Sequence, residues 1–237
     1  MRERVPTRSV PPTERSLTLA AYMYIPEPAC RDTYLPPFEA GFVQGGSAGS
    51  MCSYISLAIG PNASGTDYIP ACANSYLLQT LVREYWGRPD ATHTSDCGAV
   101  SNMAHENHYA ANETFAAAAF LNGGADLNSE YTVPAQLPLA LAMGIVNEST
   151  VDAAISRTLG HRFRVGMLDP FESQPAGFFE VGQESIGAPA SAQLVQDMAQ
   201  QGVVLLANDK GALPLRKGSK VALLGPLGAC DRCLAST

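Results

Sequence analysis

The sequence predicts an α/β fold whose larger part is an incomplete (β/α) barrel. Three observations carry this. The run Ala91-Thr92-His93-Thr94 leads into Ser95-Asp96, followed by Gly98 and a helix-like segment. A buried strand ending on a carboxylate delivers that acid to the C-terminal rim of a barrel, where barrel active sites sit. Strand-like and helix-like segments also alternate with short connections, the pattern of α/β folds. Finally, these units occupy roughly 150 residues, where a complete eightfold barrel needs about 250.

Taken in order, residues 1–16 are polar and proline-rich and read as a poorly packed start. Leu17 to Tyr24 is a short apolar run of either type. Pro26, Pro28, Pro36 and Pro37 make Ile25–Pro37 mostly loop, with a helix from Pro37 to about Gln44. Gly45 to Gly49 is a turn and Ser50 to Ile55 a buried strand. Gly60 to Asp67 is a flexible loop by composition. A helix from Ser75 to Trp86 carries Leu77, Leu78, Leu81, Val82 and Tyr85 as its stripe, with Asn74 or Ser75 as cap and Gly87 as stop. After the strand ending at Asp96, His108 to Leu121 reads as an alanine-rich helix and Ala125 to Asn128 as a short strand. Pro134 to Met143 reads as a helix that Pro138 could kink. Glu148 to Val165 is an amphipathic helix capped by Asn147 or Ser149, with Val151, Ala154, Ile155, Thr158, Leu159 and Phe163 on one face.

The texture changes after Asp169-Pro170. Residues 170–190 are rich in Gly, Pro, Ser and Glu and read as a linker. Ser191 to Gln201 follows as a helix, Gly202 to Ala207 as a buried strand, Asn208 to Gly211 as a turn, and Val221 to Pro226 as another buried strand. These open a second α/β domain.

Composition narrows the function classes. The net charge of −7 argues against nucleic acid and anionic membranes as partners and suits a neutral substrate such as a sugar. The sequence contains no apolar run of transmembrane length and no visible signal peptide. Of six cysteines, only Cys230 and Cys233 have CxxC spacing, and one such pair without nearby histidines is a poor zinc signal. Cys52 and Cys72 are a candidate disulfide pair if the chain between them folds back as a loop. Sequons at Asn62, Asn112 and Asn147 permit glycosylation in a secreted protein.

Several blocks, in order, resemble glycoside hydrolase family 3, in particular its β-xylosidase branch. They are Met51-Cys52-Ser53-Tyr54, Pro70 to Leu81 with Arg83-Glu84 and Trp86-Gly87, and Ser95-Asp96-Cys97-Gly98-Ala99-Val100. Gly124-Ala125-Asp126-Leu127 and Gly202 to Leu206, with Asn208-Asp209 and Leu213-Pro214-Leu215, continue the match. The resemblance implies the C-terminal part of a (β/α)8 barrel followed by the start of an α/β sandwich. It gives 1–31 as a poorly ordered N-terminal segment, 32–169 as the partial catalytic barrel, 170–190 as linker and 191–237 as the opening of the sandwich. It further implies retaining exo-hydrolysis of β-linked xylose from xylo-oligosaccharides, without cofactor or metal, by a secreted protein. Asp96 would be the nucleophile and Tyr54 would line the sugar site. The family's acid/base glutamate would lie beyond Thr237, so no acid/base residue is named. The chain departs from the family at Ile55 to Ile69, which is longer and lacks the usual asparagine pattern, and at Asp126 to Glu130, which lacks a cysteine usual in the branch. Alternative readings are a β-glucosidase or α-L-arabinofuranosidase of the same family, or a non-catalytic remnant.

Other polar residues have plainer accounts. Glu106, Glu113 and Glu130 read as solvated helix or loop positions. His93 reads as a satisfied core histidine, His105 and His108 as cap or loop residues, and Trp86 as core.

Overall fold

The computed structural model describes residues 22–60, 67–175, 177, 179–222, 224 and 225. Residues 1–21, the Asn62 sequon and the Cys230–Cys233 pair lie outside these. The chain divides into two compact units between Gln174 and Pro175.

The first unit is α/β and rich in helix. Its strands are β1 (Tyr22–Tyr24), β2 (Gly49–Cys52), β3 (Ser56–Ala58), β4 (Ile69–Pro70) and β5 (Thr92–Ser95). They form two small sheets. In one, β3 pairs in parallel with β1 and antiparallel with β4; in the other, β2 and β5 run parallel with Cys52 opposite Ser95. A single parallel bridge joins Thr94 to Leu127, so the stretch expected as a strand at Ala125–Asn128 contributes one bridge beside β5. Gly49 is required here because a Cβ would lie 2.0 Å from the Thr92 carbonyl oxygen.

Helices surround these strands. The Ile25–Pro37 stretch is not loop: α1 (Glu27–Ala29) runs into a wider-wound turn over Cys30–Tyr34, and α2 (Pro36–Glu39) into another over Ala40–Gln44. Pro28, Pro36 and Pro37 sit in first turns, where an amide would have had no intrahelical partner, and Pro26 precedes α1 as its N-cap. Tyr76–Tyr85 is helical with the wider i→i+5 winding, as in the bond from Trp86 N to Leu81 O (2.8 Å). Leu77 N donates to Asn74 Oδ1, so Asn74 caps this helix as expected.

The remaining helices are α3 (Ala99–His105), α4 (Glu113–Gly123), α5 (Thr132–Ala142) and α6 (Glu148–Arg164). The helix expected over His108–Leu121 begins instead at Glu113. Asn112 is extended and its Oδ1 accepts from Thr114 N and Phe115 N, which sets the start, while His108 takes φ +49° in the preceding turn. Ala116, Ala117 and Phe120 of α4 are fully buried in the main core, with Val100, Met103 and Cys72. Trp86 stacks on Phe42 with ring centroids 5.9 Å apart, beside Val82 and Ala91, as a core residue. On α6, Ala154 is buried and Val151 packs on the core, but Ile155, Leu159 and Phe163 are exposed.

In the second unit, α7 (Pro189–Gly202) forms over the expected span. The Asn208–Gly211 turn is closed by Gly211 N donating to Asn208 O (2.8 Å) and by Asn208 Oδ1 accepting from Leu213 N (3.1 Å). The strand expected at Gly202–Ala207 does not form: Val203, Val204, Leu205 and Leu206 are exposed and unladdered. A β-branched run needs a partner to become a strand, and among the described residues none pairs with it. Val221, Ala222 and Leu224 of the other expected strand are likewise exposed and irregular, and Leu223 and Pro226 lie outside the described residues. No helix among the described residues is long and apolar enough to cross a membrane.

Candidate functional site

The site lies where β2 and β5 end side by side. Asp96 follows β5 directly, and its amide donates to Cys52 O at the end of β2 (3.0 Å). Its Oδ1 accepts from Cys97 N (2.7 Å), and its carbonyl accepts from Ala99 N (3.1 Å). Gly98 then turns the chain into α3 with φ +82°, a region that strains any residue bearing a Cβ. The carboxylate is half-buried at the carboxyl end of a parallel strand.

Tyr54 reaches the same turn from two residues past β2. Its hydroxyl donates to Cys97 O at 2.6 Å. Desolvation pushes the phenol's pKa up, and the neighbouring Asp96 carboxylate adds to this by its charge and by a hydrogen bond. Tyr54 therefore holds its proton, as a donor must. The two residues singled out from the sequence, 42 positions apart, are thus brought together.

A disulfide links Cys52 to Cys72 and anchors the end of β2. The intervening chain folds back through β3 and β4. Cys97 is a free, exposed thiol and Cys30 a free, buried one.

Beneath the rim, His93 is fully buried. Its Nε2 lies 3.0 Å from Leu78 O, which can only accept, so Nε2 carries the proton and Nδ1 accepts from Ser50 Oγ at 2.9 Å. Burial first, and the Arg83 charge second, lower its pKa to about 4. It is the satisfied core histidine expected from the sequence. His105, at the end of α3, pairs with Glu113 (2.9 Å), and His108 sits in the loop.

Two groups were not legible beforehand. Asp126, whose side chain is fully buried, accepts from Arg83 (2.6 Å), Arg157 (2.7 and 2.8 Å) and the His93 amide (2.8 Å). It ties β5 to the Tyr76–Tyr85 helix and to α6. Arg83 also donates to Ala91 O, and desolvation lowers its pKa despite the opposing Asp126 charge. The Gly-Ala-Asp-Leu block marked the segment, but nothing local identified the arginine partners. Glu130, expected to be solvated, instead accepts from Val100 N and Ser101 N at the start of α3. Glu106 is exposed as expected. Asn112 and Asn147, two of the sequon asparagines, are exposed at helix starts. Among the described residues, no group of three or more His, Cys, Asp or Glu could hold a metal ion.

No protein-family model matches the chain. An exo-1,4-β-xylosidase of Emericella nidulans is 37% identical over 195 residues, covering 81% of this chain and 24% of the relative. A probable exo-1,4-β-xylosidase of Aspergillus flavus matches equally, at 37% over 195 residues, 81% and 24%. Among solved structures, a family 3 exo-β-xylosidase complexed with a xylobiose aziridine activity-based probe superposes with TM-score 0.64 at 26% identity, covering 84% of this chain and 24% of that one. A β-glucosidase from Erythrobacter marinus gives TM-score 0.60 at 28% identity, covering 83% and 24%. The chain spans about a quarter of the length of the curated relatives it matches.

In sequence and in fold the chain matches a segment of glycoside hydrolase family 3 enzymes, about a quarter of their length. Its curated matches are exo-1,4-β-xylosidases.

Proposed function

We propose that this chain carries the nucleophile of a retaining exo-β-xylosidase acting on xylo-oligosaccharides, built as the C-terminal part of a (β/α)8 barrel followed by the start of an α/β sandwich. The observation that carries the reading is that Asp96 and Tyr54 meet at one turn at the joint end of β2 and β5, with Tyr54 donating to Cys97 O beside the Asp96 carboxylate. Asp96 attacks the anomeric carbon; the glycosidic C–O bond breaks and the leaving oxygen takes a proton from a carboxylic acid. Water then displaces Asp96 from the glycosyl ester, and the same acid, now a base, takes up the proton. In retaining enzymes that second carboxyl stands about 5–5.5 Å from the first, and we assign it to no residue of this chain. Tyr54 steadies the Asp96 turn and lines the sugar site.

Secretion belongs to the same reading. The Cys52–Cys72 disulfide supports it, since such bonds persist in oxidising compartments. Asn112 and Asn147 are then glycosylation candidates.

The test is hydrolysis of an aryl β-xyloside by the purified chain. Turnover that vanishes in Asp96→Ala supports the proposal, and turnover unchanged by Asp96→Ala contradicts it; no turnover together with aggregation or weakly cooperative unfolding selects a non-catalytic remnant. A second reading, β-glucosidase activity, is favoured by the Erythrobacter marinus β-glucosidase among the structural neighbours. Faster turnover of an aryl β-glucoside than of the xyloside would select it.

A further inference from the structure

The first amides of a helix have no partner within the helix. α3 begins behind Gly98, and no side chain at its own N-cap meets them. They are met from the chain 30 residues on. Val100 N and Ser101 N donate to Glu130 Oε1 at 2.7 and 3.2 Å. Glu130 Oε2 accepts from Ser101 Oγ (2.9 Å) and Thr132 Oγ1 (3.1 Å). A loop glutamate is ordinarily solvated; this one is met by five donors, Asn128 Nδ2 being the fifth at 3.5 Å from Oε1.

The same loop also grips the strand in front of Asp96. Ser129 N and Asn128 Nδ2 donate to Ser95 Oγ at 2.9 and 3.1 Å, and the Thr94 and Ser129 hydroxyls pair at 3.0 Å. Asp96 is therefore bracketed: Thr94 and Ser95 before it are tied to residues 128–129, and Val100 and Ser101 after it to Glu130. Between the brackets the turn is closed by its own bonds, Ala99 N to Asp96 O and Cys97 N to Asp96 Oδ1, so the outside contacts set where the closed turn sits against the strand end.

We propose that Glu130 is a positioning residue for Asp96: by holding the start of α3, it fixes the Asp96-Cys97-Gly98 turn so that the carboxylate keeps one orientation at the strand end. This rests on the reading of Asp96 as nucleophile. The role belongs to the carboxylate's acceptor pair. Gln at 130 keeps one acceptor oxygen for the two amides, and Ala keeps none.

The experiment uses the full chain and a xylose-configured aziridine, whose ring is opened by a carboxylate: a C–O bond forms, a C–N bond breaks and the nitrogen takes up a proton. Labelling is followed by mass spectrometry as rate constant and probe affinity separately. Amide exchange at Val100, Ser101 and the buried Phe120 is followed alongside. Wild type labels on Asp96. Glu130→Ala lowers the labelling rate constant about 100-fold at unchanged probe affinity, the scale of a misplaced reacting group. Glu130→Gln recovers to within about 10-fold of wild type, the worth of one charge-assisted hydrogen bond. Glu106→Gln, exposed at the other end of α3, labels as wild type. Exchange rises at Val100 and Ser101 and stays slow at Phe120.

Wild-type labelling in a folded Glu130→Ala overturns the positioning role and leaves Asp96 as nucleophile. No label on Asp96 in wild type overturns both. Should Glu130→Ala unfold, Glu130→Gln decides: slower labelling at unchanged probe affinity supports the proposal, and wild-type labelling overturns it.

Discussion

Acidification should destabilise this fold through one residue. His93 is neutral in the folded chain, donating from Nε2 to Leu78 O and accepting at Nδ1 from Ser50. Protonation removes the acceptor and places a buried cation near Arg83. The folded pKa of about 4 lies below the ordinary 6.5. The unfolded chain therefore binds the proton first as pH falls, and stability is lost across that window. By linkage the loss is about 2 kcal/mol at pH 5 and about 3 kcal/mol at pH 4, with full stability retained above pH 6.5. The assay is urea unfolding from pH 7.5 to 4, read by the fluorescence of Trp86, the chain's one tryptophan, which packs on Phe42. His93→Gln is the comparison, since glutamine does not titrate and can still donate toward Leu78 O. At pH 7.5 wild type should be the more stable, and the gap should close by about 3 kcal/mol at pH 4. Parallel curves for the two proteins would refute the argument.

Other perturbations follow from the same contacts. Asp126→Asn leaves Arg83 and Arg157 without a buried counter-charge and should cost about 3–5 kcal/mol in urea unfolding; a loss under about 1 kcal/mol would show that water replaces the carboxylate. Cys72→Ser opens the disulfide and should cost about 3 kcal/mol, the chain-entropy value for a loop of this length, with reduction of wild type giving the same loss. Asp90→Asn removes surface pairs with Arg88 and Arg164 and should change stability by less than about 1 kcal/mol.

The sequence told more about the candidate site than about what supports it. β5 and Asp96 were legible because a β-branched run ending in Asp, with Gly behind it, is a local signal. α6 was legible from its periodicity, and the start of the Tyr76–Tyr85 helix from Asn74. The Asp126 network was not, because its arginines lie 43 and 31 residues away and only packing joins them. Glu130 misled for a similar reason: a glutamate in a polar loop carries no sign that α3 will start against it. The prolines of 26–37 misled because proline breaks a helix interior but tolerates a first turn. At Val203–Leu206 the composition of a strand is present, but a strand also needs a partner, and composition does not supply one.

The central claim is best tested by mapping the covalent adduct after incubating the chain with a slow mechanism-based β-xyloside. One xylosyl group on the peptide containing Asp96, absent from Asp96→Ala, is the predicted result. An adduct on a different carboxylate, or an unmodified chain, would contradict it.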